Sequence, residues 1–296
     1  ANIATNLDAL QTNQAKITSI TQDAPASSMT LTGTQYANDQ AALGKITGGY
    51  TATVNNVTAA NAASVAGNSS VTALTVRDTA ANIAANLDAL QTHHAKITST
   101  TQTDAGTPLA ITGTQVTNDA DALADITPNT YTVQASGTFS ASDAITLITA
   151  NSHVAVTISD TAANIVSNLA DLVTNRAQIT SITQSNAGAL NVSYAQATDA
   201  NTITTLNKIN SGTYTLNVSG VSAANVSSLA ANTKVTSMLV TDTSANIATN
   251  LDALQTNQAK ITSITQSGTP AALDVTYSQV TSAAQALAKI DSNVYT

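Results

Sequence analysis

Three histidines, His93, His94 and His153, are the only imidazoles in this chain, and two of them are adjacent. An imidazole can ligate a metal or move a proton near neutral pH, so the His93-His94 pair is the first place to look for chemistry. The chain supplies its own comparison. The phrase "ANIATNLDALQTNQAKITSITQ" opens at Ala1, returns as "ANIAANLDALQTHHAKITSTTQ" from Ala81 and "ANIVSNLADLVTNRAQITSITQ" from Ala163, and recurs unchanged from Ala245. The other copies place Asn13-Gln14, Asn175-Arg176 and Asn257-Gln258 where the pair stands. A site used by every copy would keep its ligands. The pair is expected to be a surface-loop variation.

The acids are the next candidates. All 17 are Asp, and Glu is absent. Asp favours caps and turns over helix interiors, so local structural roles are expected. Asp119, Asp121 and Asp125 form the densest group. Calcium takes six to eight oxygens, several from clustered carboxylates. Neither the D-x-D-x-D-G pattern nor a G-G-x-G-x-D tract occurs, and the fourth copy reads "TSAAQALAKI" in the same region. Capping and helix-surface roles are expected for these three, with no metal and no cofactor. Ser and Thr abound, but a nucleophile needs a base within reach. There is no G-x-S-x-G, no Walker-type glycine loop, and almost no His. No catalytic residue is assigned, and an enzyme is not expected. Five N-x-[ST] sequons, at Asn56, Asn68, Asn191, Asn217 and Asn225, are a weak glycosylation signal in so Asn- and Thr-rich a chain.

Composition narrows the classes further. Charged residues are 9% and net charge is −8, against roughly 25% charged in ordinary domains. The nine basic residues are scattered, whereas phosphate binding needs them clustered, so no nucleic-acid partner is expected. Cysteine is absent, and no apolar run is long enough for a membrane span. The chain begins inside a repeat and no signal peptide is read in it, so a fragment or a mature piece, with any secretion signal elsewhere, is expected.

The elements follow from the repeat. Copies are offset by 80, 82 and 82 residues, giving repeat 1 at 1–80 (lacking its first strand), repeat 2 at 81–162, repeat 3 at 163–244 and a partial repeat 4 at 245–296. In the second copy "LTVRD" (74–78) alternates as a half-buried strand. Asp78 or Thr79 then caps a helix through 79–90, with Ile83, Leu87 and Leu90 on one face. "KITSTTQ" (96–102) and "LAITGTQ" (109–115) read as strands, 116–126 as a helix, 131–137 as a strand and 140–150 as a third helix, before "VAVTISD" restarts the cycle. Val294–Thr296 reads as the start of a strand.

The order β-α-β-β-α-β-α gives an α/β class. Only residues 103–108 separate Gln102 from Leu109. A parallel crossover needs a dozen or more residues, so a hairpin is expected there. Each unit of about 82 residues would then be a two-layer bead, packed end to end as a rod. A continuous right-handed βα solenoid is the alternative. Alternating strands imply helices on one sheet face, with Thr, Ser and Asn (Asn191 and Ser193, for example) on the other.

"DTAANIAANLDALQ" with "KITSITQ" resembles the tandem repeats of very large bacterial secreted or surface proteins of the β-strand-repeat, adhesin-like type, and the resemblance covers all four copies. It implies an extracellular or cell-surface location and an elongated, repetitive role, and it carries over no catalytic residue. The expected function is therefore a non-enzymatic structural repeat protein: a stalk, sheath, surface-layer or filament building block that packs against itself or against neighbouring repeats. The alternative is an adhesin-like binding module whose polar sheet face recognises glycan or ice.

Overall fold

The computed structural model describes residues 2–23, 28–269 and 271–291; Val294–Thr296 lie outside them. The chain is α/β, with short helices alternating with strands and four parallel-stranded sheets. It divides into two compact units, Ala1–Gly137 with Thr146–Val156 and Thr138–Ile145 with Thr157–Thr296.

In the first unit, Met29–Thr32, Ala52–Val57, Val71–Asp78 and Ile97–Gln102 pair in chain order, each parallel to the next. Ile20–Thr21 pairs with Ile46–Thr47, and Leu109–Thr112 with Val133–Ser136, again in parallel. In the second unit, Leu190–Ser193, Leu216–Val221, Val235–Asp242 and Ile261–Gln266 form the corresponding ladder. Helical segments join successive strands, as Ala59–Gly67 joins Ala52–Val57 to Val71–Asp78, which is the connection a parallel pair requires.

Burial alternates along Met29–Thr32, Leu109–Thr112 and Leu190–Ser193, with the apolar residues inward. Asn191 and Ser193 are exposed, as the alternation implies. Leu74, Val76, Ile83 and Leu87 are fully buried and Leu90 nearly so; each such Leu or Ile contributes roughly 2 kcal/mol through burial.

The expected hairpin does not form. Ile97–Gln102 and Leu109–Thr112 lie in different sheets, each parallel to strands far away in the chain. The short gap is a corner between sheets, closed by Gln102, whose Nε2 donates to the carbonyl oxygens of Asp104 and Thr107 at 2.8 and 2.7 Å. Gln184 closes the matching corner onto Asn186 and Gly188. The six-residue gap argued against a crossover only if the two strands paired with each other, and they do not.

Two of the expected helices are broken, whereas the one read over 140–150 runs unbroken as Ala141–Ala150. The segment expected as one helix over 79–90 is Ala80–Ala85 followed by Leu87–His93. At the break, Asn86 Nδ2 donates to the Asn82 carbonyl at 2.9 Å, and this local bond competes with the helical ladder. Asn6, Asn168 and Asn250 make the same bond in the other copies. The strand read through Gln115 stops at Thr112, where a capping box starts the helix Gly113–Asn118. Thr112 Oγ1 accepts from Gln115 N, and Gln115 Oε1 accepts from Thr112 N. The T-x-x-Q signature of that box is present in the sequence.

Candidate functional site

The residues held at corresponding places in the repeats are those that fasten one strand–helix segment to the next. Asp78 sits at the end of Val71–Asp78. Its Oδ2 accepts from Ala59 N at 2.9 Å, at the start of the preceding helix, while its Oδ1 accepts from Thr79 N and Asn82 Nδ2. Asp160 binds Ala141 N, Thr161 N and Asn164 Nδ2 in the same way. Asp242 binds Ala223 N, Thr243 N and Asn246 Nδ2. Burial alone would raise these carboxyls. The hydrogen bonds outweigh it and hold all three below the ordinary carboxylate value. The cap expected from Asp78 or Thr79 is divided between them: Thr79 Oγ1 accepts from Asn82 N, and Asp78 also caps its neighbour.

Lysines clip the opposite ends. Lys96 Nζ donates to the carbonyls of Ala66 and Asn68 at 2.6 and 3.0 Å, at the end of Ala59–Gly67. Lys260 does the same to Ala230 and Asn232. Lys208, Lys234 and Lys289 reach the carbonyls of Ile179, Gly212 and Ile261. A cation at a helix C-terminus meets both orphan carbonyls and the negative end of the dipole.

His93 ends the helix Leu87–His93 and His94 begins the following 3₁₀ turn. Both are half-buried, so the pair is not in a loop as expected. His94 Nε2 lies 3.7 Å from Asp121 Oδ2. His153 stacks on Tyr131 with ring centroids 4.5 Å apart. Among the described residues no group of three or more His, Cys, Asp or Glu side chains is arranged to hold a metal ion.

The Asp119–Asp121–Asp125 group divides three ways. Asp121 is exposed and accepts from Gln91 Nε2. Asp125 stands where Lys45, Lys208 and Lys289 stand in the other copies. Burial pushes its carboxyl up, His94 opposes this and Asp121 adds to it, and its Oδ2 is covered without a partner. Asp119 precedes the helix Ala120–Ala124 but makes no side-chain cap bond, which corrects the capping role expected of it. It is only 5% exposed, and its Oδ2 also lacks a partner.

What faces Asp119 is Asp88. Burial pushes the Asp119 carboxyl up to about 6, and contact with Asp88 pushes in the same direction. Asp88 Oδ1 also accepts from Gln115 Nε2 at 2.9 Å. The two carboxyls line one cleft of about 380 Å³ with Thr112, Thr114, Gln115 and Asn118. The first copy repeats the arrangement. Asp39 is 3% exposed with an unpartnered Oδ2, and burial and Asp8 together push it up to about 6. Comparing single phrases passed over these pairs because each acid lies in a different element. The signal available was the joint presence of Asp8 with Asp39 and of Asp88 with Asp119, against Asp252 with Ala283 in the fourth copy.

A larger cleft, about 550 Å³, lies in the first unit between the helices Gly33–Asn38 and Ala59–Gly67, with Tyr36, Asn38, Asn56, Asn61 and Asn68 on its walls. Its lining carries no formal charge. The polar row Asn191–Asn217–Ser237, exposed at Asn191 and half-buried at the other two, crosses three paired strands of the second unit. Asn217 Nδ2 donates to Asn191 Oδ1, and Ser237 Oγ donates to Asn217 Oδ1. The amide of the sequon residue Asn217 is thus already engaged. No helix of the described residues is long and apolar enough to cross a membrane. No family model, curated protein or solved structure matches the chain.

Proposed function

We propose that this chain is a non-enzymatic structural segment of an extracellular or cell-surface protein, in which successive strand–helix segments stack continuously as an elongated βα solenoid. The observation that carries this reading is the recurrence of Asp78, Asp160 and Asp242. Each accepts from the first N–H of the helix before it and from the cap N–H and an Asn side chain of the helix after it. What the copies share is a fastening device, and what they vary includes every candidate for chemistry. Continuous stacking accords with the parallel next-neighbour ladders within each unit better than separate beads do. Small-angle X-ray scattering tests it. An elongated particle, with a maximum dimension well beyond that of a sphere of equal mass, is expected; a compact globule overturns the proposal.

A second reading, recognition of glycan by a polar face, draws on the Asn191–Asn217–Ser237 row and the uncharged cleft near Tyr36. A glycan array probed with the purified chain is its test, and uniform absence of binding removes it.

A further inference from the structure

We propose that the Asp88–Asp119 cleft, and the corresponding pair of carboxyls Asp8 and Asp39, each bind a divalent cation of the calcium class. Asp119 is almost wholly covered, yet one of its carboxylate oxygens has no donor, and the nearest charged group is another carboxylate. No Lys, Arg or His lines this cleft. Gln115 neutralises nothing, because it offers a single amide N–H to Asp88. Two ionised carboxylates in contact repel each other, and a bound cation relieves that repulsion.

The donors are hard oxygens. A carboxylate from the helix Leu87–His93 meets the carboxylate of Asp119, which stands just before the helix Ala120–Ala124, in a cleft that Thr114 and Asn118 also line. Calcium accepts irregular sets of six to eight oxygens and keeps some water, whereas magnesium demands a near-ideal octahedron. The same unpartnered, covered carboxylate recurs at Asp39 beside Asp8, so two ions per chain are expected. The fourth copy is an internal control. Its corresponding cleft is lined by Asp252, Gln255 and Gln279 and has Ala283 in place of the covered acid. With one carboxylate there, it should hold no ion. The inference goes beyond the structural role proposed above and does not depend on it.

The test is calcium titration of the whole chain at pH 7.5 by isothermal calorimetry, with the melting temperature followed in parallel. Two sites are expected, with affinities of about 10⁻⁴–10⁻³ M for so few protein ligands, and calcium should raise the melting temperature. Asp119→Asn and Asp39→Asn should each remove one site, with circular dichroism confirming the fold. If Asp119→Asn or Asp39→Asn fails to fold, Asp88→Asn or Asp8→Asn respectively, each of which alters an exposed partner, serves in its place. Absence of saturable binding at pH 7.5 overturns the proposal, as does retention of both sites in a folded double variant. A carboxyl that titrates near pH 6 identically with and without calcium identifies a shared proton only, and also overturns it.

Discussion

Asp160 is 8% exposed and accepts three hydrogen bonds, two from backbone N–H groups at different helix starts. Replacing it with Ala leaves both without this acceptor, so Asp160→Ala should destabilise the fold by about 2–3 kcal/mol, read from urea unfolding. The acids divide into two classes with opposite pH behaviour. Asp78, Asp160 and Asp242 are held below their ordinary values. Their contribution is present above the unfolded pKa near 4 and is lost as pH falls through the folded values. Asp39 and Asp119, at about 6 in the fold, bind protons there that the unfolded chain has released. Stability from these two therefore declines as pH rises from about 4 through 6. Without divalent cations, thermal unfolding should show its maximum between about pH 4 and 6, and a maximum at pH 8 would contradict this assignment. The lower limb was partly legible in the sequence, since Asp78 stands before a capping Thr. The upper limb was not, because the partner that raises Asp119 comes from another helix.

At the scale of elements, the strand Ala52–Val57 carries a bulge, where the register with Val71–Asp78 shifts between Val54 and Val57. Asn56 occupies it with φ of 56°, and Gly137 and Gly220 take φ of 96° and 68° at the matching places. Asn tolerates the left-handed region and Gly adopts it freely. Asn56→Gly is expected to leave stability within a few tenths of a kcal/mol, whereas Gly220→Ala should cost about 1 kcal/mol or more. Equal melting temperatures for Gly220→Ala and the parent chain would contradict this reading. Strand positions were readable because alternation survives in the first three copies; Leu190 and Val192 face inward while Asn191 faces out. The helices were readable as existing but not as interrupted. A 3.6-residue period passes through Asn86 unbroken, whereas the backbone there leaves helical geometry (φ −114°, ψ 12°) and the Asn86 side chain bonds back to Asn82. The hairpin was misread because the length of a gap does not identify the partner of a strand. The corner made by Gln102 decides that.

For the molecule as a whole, charge is unevenly committed. Of nine basic residues, Lys96, Lys208, Lys234, Lys260 and Lys289 are turned onto backbone carbonyls. Lys96 and Lys260 close helix ends, Lys208 and Lys289 meet the first residues of the strands Ile179–Gln184 and Ile261–Gln266, and the net charge of −8 is left to repel itself. Raising monovalent salt from about 0.01 to 0.15 M shortens the Debye length from about 30 to 8 Å. The melting temperature should rise with salt at pH 7.5, and a fall would show that attractive ion pairs dominate instead. The same uneven use explains why the candidate site was hard to read. In a chain whose acids are all Asp and whose basic residues are few, any Asp resembles any other until the fold decides which of them share a cleft.

The Asp78 carboxylate reaches back to Ala59, 19 residues earlier, and Asp160 and Asp242 span the same interval. A chain emerging from a ribosome or a narrow export channel presents each helix before the residue that completes it. Each helix thus waits, with a backbone donor still solvated, for the segment behind it to arrive. Closure would then advance from the N-terminus like a ratchet, each arriving Asp locking the turn just delivered and holding it against backward slippage.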